Sequence, residues 1–413
     1  MTATPPSERR VGWGFVTFYA LAFLGTCLVL IAPLLVTLAL KVNSLVGIEA
    51  APRNLSLVTG VGALVAMVGN PFLGKMSDRT TSRLGMRRPW MAIGLLGGSL
   101  GVLVVALAAD VWVVLIGWCA AQLFFNGLLA ALVAVLPDQV PGSQRGLVSG
   151  VLGVCLPIAS VSGTYVVQLF SASELAMFLA PCAIAGVLIA PFAVRLDDRR
   201  LAPSDRPRWS LREFLGTFYV DPRRNSDFTW AFVSRFLFVT AYAFLVTYQA
   251  YFLINRLGSD EAEIPGLIFH STLVQSAGVV GASLIGGRLS DRTGRRKAFV
   301  LTASATYGMA LLAIASSTDL DRFLVGMALA GLGFGVYVAV DLALVADVLP
   351  DDSSTAKDLG VFNMAGALPF SVAPAVAPTV LALGGGSYGV LYAVAGLCAL
   401  LGALAILPVR RVR

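Results

Sequence analysis

Apolar runs long enough to cross a bilayer follow one another along nearly the whole chain, and this limits the possible folds more than any other feature. A hydrocarbon layer about 30 Å thick calls for about 20 apolar residues in helical form. Such runs lie at roughly 12–40, 54–76, 90–109, 111–136, 146–170, 174–195, 228–254, 265–287, 298–316, 321–347, 359–384 and 387–408. They make twelve spans, six on each side of a polar stretch from Leu196 to Asp227. Run length and the abundance of Gly, Ala and Leu select helices, because barrel strands would be about ten residues long with strict alternation. Only 13% of residues are charged and 57% are hydrophobic, whereas a soluble domain carries about a quarter charged residues. The expected fold is an all-α membrane protein: an N-terminal six-helix bundle at 1–195, a linker at 196–227 and a C-terminal six-helix bundle at 228–413.

The two halves repeat each other. Gly74-Lys75-Met76-Ser77-Asp78-Arg79 is echoed 213 positions later by Gly287-Arg288-Leu289-Ser290-Asp291-Arg292, and Leu136-Pro137-Asp138 is echoed at the same offset by Leu349-Pro350-Asp351. Two landmarks with one offset imply a duplicated unit, an arrangement frequent among transporters. Cations are sided as well. With a cytoplasmic N-terminus they gather on the inside, and only Lys41, Arg53, Arg256 and Arg322 fall outside, with Arg235 inside a span. That bias sets orientation and puts both termini in the cytoplasm, as in a multi-pass protein of the plasma or inner membrane.

The net charge of +7 is explained by these loops and does not imply nucleic acid. The five cysteines lie inside apolar runs without a CxxC pair and read as small packing residues. The apolar run after Arg9-Arg10 continues to about Leu40, too long for a signal-peptide core, and reads as a retained first span. The linker contains Trp209-Ser210-Leu211-Arg212-Glu213-Phe214-Leu215, which fits a surface amphipathic helix or plain connecting chain.

Twelve spans in two halves, a long central segment and G-[KR]-[ML]-S-D-R in two matching loops together resemble the major facilitator superfamily. The first loop, Ser77-Asp78-Arg79-Thr80-Thr81-Ser82-Arg83-Leu84-Gly85-Met86-Arg87-Arg88-Pro89-Trp90, is similar to that of the sucrose-type and glycoside-pentoside-hexuronide cation symporter branches, as is Lys357-Asp358-Leu359-Gly360 with Asn363 and Pro369. The resemblance implies alternating access around a midplane site, with the first, fourth, seventh and tenth spans lining the path. It implies a latch in which Gly74, Asp78 and Arg79, and their counterparts Gly287, Asp291 and Arg292, hold the halves together, with Asp78 docking near the start of the eleventh span.

Under that arrangement the substrate candidates are Tyr19 and Phe23 in the first span, Gln122 and Asn126 in the fourth, Arg235, Tyr242, Tyr248 and Gln249 in the seventh, and Tyr337 and Asp341 in the tenth, with Gln168, His270, Gln275 and Asn363 in supporting spans. Charges inside a membrane helix are costly and mark function. Arg235 and Asp341 stand well inside their spans and are expected to pair, either to stabilise the C-terminal half or to respond to protonation and substrate. His270, the one histidine, fits a pH-sensing group or a hydrogen-bonded packing residue. The second span has no acid before Asp78 and the fourth has only Asp110 at its edge. The acids that the resemblance leads one to expect in this half for sodium or proton coupling are therefore missing, which leaves Asp341 to take the role or transport to be uncoupled.

Two functions fit. One is a secondary transporter of a small polar solute such as a sugar or glycoside, driven by protons. The other is a proton-driven exporter of drugs or metabolites, which the aromatic-rich stretch Phe232 to Phe252 suits equally. No HExxH, nucleophile elbow, Walker motif or paired intramembrane carboxylate stands in the sequence, which argues against an enzyme or an ATP-driven pump and implies no cofactor. The expected partners are a small-molecule substrate, protons and the lipid bilayer, with the chain acting as a monomer.

Overall fold

The computed structural model describes residues 10–202, 225–348, 362 and 364–409. Among them all regular structure is helical. α1 (Trp13–Ala32) passes through a π-helical turn (Pro33–Thr37) into α2 (Leu38–Asp78). There follow α3 (Arg88–Leu107), α4 (Val111–Gln139), α5 (Gly142–Leu169), α6 (Glu174–Arg195), α7 (Ser226–Leu257), α8 (Ile264–Thr293), α9 (Arg296–Ala315), α10 (Leu320–Val348), α11 (Pro369–Leu383) and α12 (Tyr388–Ala405).

Eleven described stretches are long and apolar enough to cross a membrane, and the first, Trp13–Asp78, is 66 residues long. An unbroken helix of that length would reach nearly ~100 Å at about 1.5 Å per residue, three bilayer cores end to end. It is broken at Gly47, whose φ of 75° and ψ of 164° suit glycine far better than any residue with a Cβ. The chain reverses there, so this stretch supplies both the first and second crossings and the two six-helix bundles hold twelve. The loop expected between residues 40 and 54 is therefore one glycine between helical arms.

Inside the bundles, small residues let backbones approach, as membrane helices without a hydrophobic drive between them require. α3 and α4 meet at Gly101 and Gly117; a Cβ on Gly101 would stand 2.6 Å from the Ala121 nitrogen. The repeat is visible in space. Gly74 of α2 faces Ala130 of α4, and Gly287 of α8 faces Ala339 of α10; an added Cβ would meet the alanine Cβ at 3.5 and 3.6 Å respectively.

The first motif loop closes on its own bundle. The buried Arg87 guanidinium reaches Asp78 at 2.6 Å and Asp138 at 3.0 Å, and donates to the Ser77 hydroxyl at 2.9 Å. Asp198, from the start of the linker, accepts the backbone N–H groups of Arg87 and Arg88 at 2.7 and 2.8 Å. It thereby fills the anion-seeking N-terminus of α3. Gly85 has φ 105°, and a Cβ there would lie 2.2 Å from the Asp198 carboxylate, so glycine is required twice over. Arg79 caps α2, its N–H bonding to the Met76 carbonyl at 3.1 Å. Among the described residues the partner of Asp78 is thus Arg87, within its own bundle, rather than a group of the opposing one. The Lys357 region, Trp209–Leu215 and the side chain of Asp291 lie outside the described residues, and Arg292 is exposed.

At the opposite end, away from the arginine-rich loops, the two bundles are hydrogen-bonded together. Asn43 donates to Glu261 at 2.5 Å, the Ser56 and Tyr248 hydroxyls lie 2.6 Å apart, and the Tyr251 hydroxyl donates to the Ala39 carbonyl at 3.0 Å. Tyr165 of α5 packs on Phe269 of α8 with ring centroids 5.3 Å apart. Buried Lys41 braces this end of the first bundle by bonding the Ala106 carbonyl and Glu174.

Two outcomes follow from these contacts. Arg87→Ala leaves two neighbouring carboxylates without their shared cation and lowers stability by about 1–2 kcal/mol, both acids being partly solvated; Arg87→Lys restores little, because one ammonium cannot reproduce the fork, and thermal melts of the two variants check this. Tyr248→Phe removes one buried hydrogen bond of the seal, about 1 kcal/mol, and shifts the population toward forms open at this end by about fivefold. Spin labels at positions 43 and 261 on a cysteine-depleted background should then report a longer distance component.

Candidate functional site

On the arginine-rich side of the seal the bundles part around a cavity of about 440 Å³. Its walls come from the end of α1 and its π-turn (Leu34, Leu35), from α5 (Leu156), α7, α10 and α11. Pro33 opens the π-turn, a distortion that recurs at functional sites. α7 presents Arg235, Phe238 and Tyr242 on one face, at spacings of three and seven; α10 presents Phe334, Tyr337 and Asp341 in the same way. Rings of these two helices pack on one another within the C-terminal bundle. Phe238 and Tyr337 lie 3.6 Å apart between centroids, nearly parallel, and Tyr242 and Phe334 lie 4.6 Å apart.

One ion pair stands in this aromatic wall. Arg235 Nη1 donates to Asp341 Oδ2, the two side chains retaining 17% and 10% exposure. Tyr337, one turn before Asp341, lines the cavity beside it. The guanidinium lies 5.0 Å from the Phe362 ring centroid, and Gly366 leaves it room, since a Cβ there would come within 3.2 Å of Nη2. Arg235 Nε is buried with no acceptor among the described residues.

The other residues expected at the site have different surroundings. Tyr19 is fully buried inside its own bundle, its hydroxyl donating to the Leu132 carbonyl at 2.7 Å and its ring stacked on Phe192. Phe23 packs toward Cys27, Leu28 and Ala159. Asn126 donates to the Gln122 side chain at 3.1 Å and accepts from Asn70 of α2 at 3.3 Å, so this polar ladder joins α4 to α2. Gln249 donates to Ser271 at 2.6 Å, tying α7 to α8. His270 is exposed and bonds the Gly266 carbonyl one turn back. Asn363 lies outside the described residues. Of the candidates, Arg235, Tyr242, Tyr337 and Asp341 come together at the cavity.

Phe334 and Phe370 were not singled out by sequence reasoning. Phe334 was within reach, standing three and seven residues before Tyr337 and Asp341 and so on their face. Leu34 and Leu35 were not, because nothing in an apolar first span announces a π-turn.

Comparison with known proteins places this geometry in a family. The family model described as Major Facilitator Superfamily matches residues 14–281 and 265–413. Among curated proteins, the tetracycline resistance protein, class B, of Escherichia coli is 30% identical over 135 residues, covering 32% of this chain and 31% of that protein. The multidrug resistance protein MdtL of Klebsiella pneumoniae (strain 342) is 33% identical over 111 residues, 27% of each chain. The matched stretch thus spans about a third or less of these relatives. Among solved structures, a mutant form of the nucleoside transporter NupG superposes with a TM-score of 0.75 at 13% identity, covering 96% of this chain and 99% of that one. The human organic anion transporter MFSD10 (TETRAN) superposes at 0.68 and 19% identity, covering 97% and 100%. At such identities the likeness speaks for the fold, and with the family model spanning nearly the whole sequence, this multi-pass membrane chain belongs to the Major Facilitator Superfamily.

Proposed function

We propose that this transporter exports amphipathic organic molecules by alternating access, using the Arg235–Asp341 pair to couple transport to protons. The observation that carries the reading is where the polar side chains go. A sugar site needs several amides and hydroxyls free to meet hydroxyl groups. Gln122 and Asn126 bond each other within α4, Asn126 also accepts from Asn70 of α2, and Gln249 is tied to Ser271 of α8, while the cavity wall is aromatic and aliphatic around one ion pair. That favours a largely apolar solute with a limited polar part over the sugar or glycoside expected of the sucrose-type branch. The partial identity to proteins named for tetracycline and multidrug resistance supports the same choice.

The Lys/Arg bias supports a cytoplasmic arginine-rich end. With that orientation the seal is the outer one and the cavity faces inward, as a form that takes up solute for export would. Asp341 is the acid in the cavity, faced by Arg235 and Tyr337. While ionised it holds Arg235; once protonated it releases the guanidinium, so one proton changes the charge presented to the solute. A protonation step at this position ties binding to the gradient.

Asp341→Asn should reduce pH-gradient-driven transport of ethidium or tetracycline in proteoliposomes by at least tenfold while gradient-free exchange persists. Arg235→Ala strands a buried carboxylate and should lower stability by about 3 kcal/mol, with Arg235→Ala/Asp341→Asn recovering much of it in thermal melts. Gradient-driven uptake of labelled sucrose, with no movement of either drug, would overturn the exporter reading in favour of sugar symport.

A further inference from the structure

Beside the main cavity lies a small annex of about 30 Å³ whose wall mixes polar with apolar side chains. It is lined by Ser160 of α5 and by Thr272, Gln275 and Ser276 of α8. Tyr242 and Phe334 line both spaces, so the annex opens off the aromatic wall rather than standing apart from it. Ser160 is satisfied locally, its hydroxyl donating to the Leu156 carbonyl at 3.1 Å. Gln275 is not: its Nε2 is buried without an acceptor among the described residues.

Gln275 is also held firmly in place. Its carbonyl is pressed against Gly331 of α10, where a Cβ would come within 2.2 Å, and one turn on Val279 meets Gly335 at 2.3 Å in the same way. This α8–α10 seam fixes the backbone from which the carboxamide projects. A donor buried in a membrane protein without a partner is costly, and such groups call for an explanation. A covered donor on a packed backbone beside a solute cavity is explained by a solute oxygen that meets it when the side chain turns toward the annex.

We propose that the annex is a second subsite in which Gln275 Nε2 donates a hydrogen bond to a neutral oxygen acceptor, a carbonyl above all, on the transported molecule. The apolar body of that molecule lies against Phe238, Tyr242 and Phe334. The proposal rests on the reading of the main cavity as the solute site and adds to it a substrate class: elongated aromatic compounds carrying an uncharged carbonyl, distinguished from equally apolar compounds without one. It also gives Gln275 a role separate from the ion pair, as a specificity-determining residue.

Benzophenone and diphenylmethane are matched in size and differ by the carbonyl, and their binding to the purified full chain in nanodiscs tests the idea. The wild type should bind benzophenone about tenfold more tightly, the contribution of one buried hydrogen bond. Gln275→Leu should abolish the difference while diphenylmethane affinity stays within about twofold, and Gln275→Asn, with a shorter amide, should do the same. Photoactivated benzophenone, which attacks C–H bonds next to its carbonyl, should label α5 and α8 around Leu156 and Val279. Equal binding of both probes by the wild type, or discrimination that survives in Gln275→Leu, would overturn the subsite alone. Binding of neither probe would overturn the cavity reading and the subsite with it. Phe334→Ala separates the two ideas further: it should weaken both probes alike if the aromatic wall is the solute site.

Discussion

Within hydrocarbon, a polar group must find its partner inside the protein, and much of this structure follows from that constraint. Helices satisfy the backbone; the side chains must satisfy one another. Tyr19 finds the Leu132 carbonyl, Asn126 finds Gln122 and Asn70, and Gln249 finds Ser271. Most of these bonds join two helices, whereas hydroxyls such as those of Thr26, Thr59, Ser160 and Thr240 turn back to a carbonyl of their own helix. What is left at the centre is a hydrophobic hollow with a few exceptions, and those exceptions become legible as function because so few polar groups remain there.

The same constraint explains the two ends. At the end away from the arginine-rich loops, hydroxyls and amides bond across the bundle interface at Ser56–Tyr248 and Asn43–Glu261. Such contacts are individually modest, which suits an interface that the proposed alternating access would have to open. At the arginine-rich end, Arg87 gathers Asp78 and Asp138 within a single bundle. The motif loop is therefore a rigid corner, and any partner it takes across the interface meets a surface already organised.

The architecture could be read from the sequence because run length and a shared offset of 213 positions are properties of whole segments. Facing is a property of single side chains, and there the residue type was a poor guide. Tyr19 and Tyr337 are the same residue type in similar apolar runs, yet one is sealed beneath Phe192 and the other stands at the cavity. Gln122 and Gln275 sit in similar apolar runs; one accepts from Asn126 and the other has no acceptor for its amide among the described residues. The Arg235–Asp341 pair was easier, because an isolated charge in a membrane helix demands an opposite. The role of Arg87 was hidden for a different reason: its organisation depends on Asp198, 111 positions away, and no local pattern connects them.

The attachment of Asp198 to the start of α3 has a mechanical consequence. The Arg199 carbonyl accepts from the Met86 N–H at 3.1 Å and Leu201 is buried, so the chain stays against the first bundle as far as Leu201. From there to Asn225 the covalent contour allows at most about 85 Å. By covalent length alone this connection sets no tight limit on how far one bundle can stand from the other, which leaves that limit to the packed surfaces themselves.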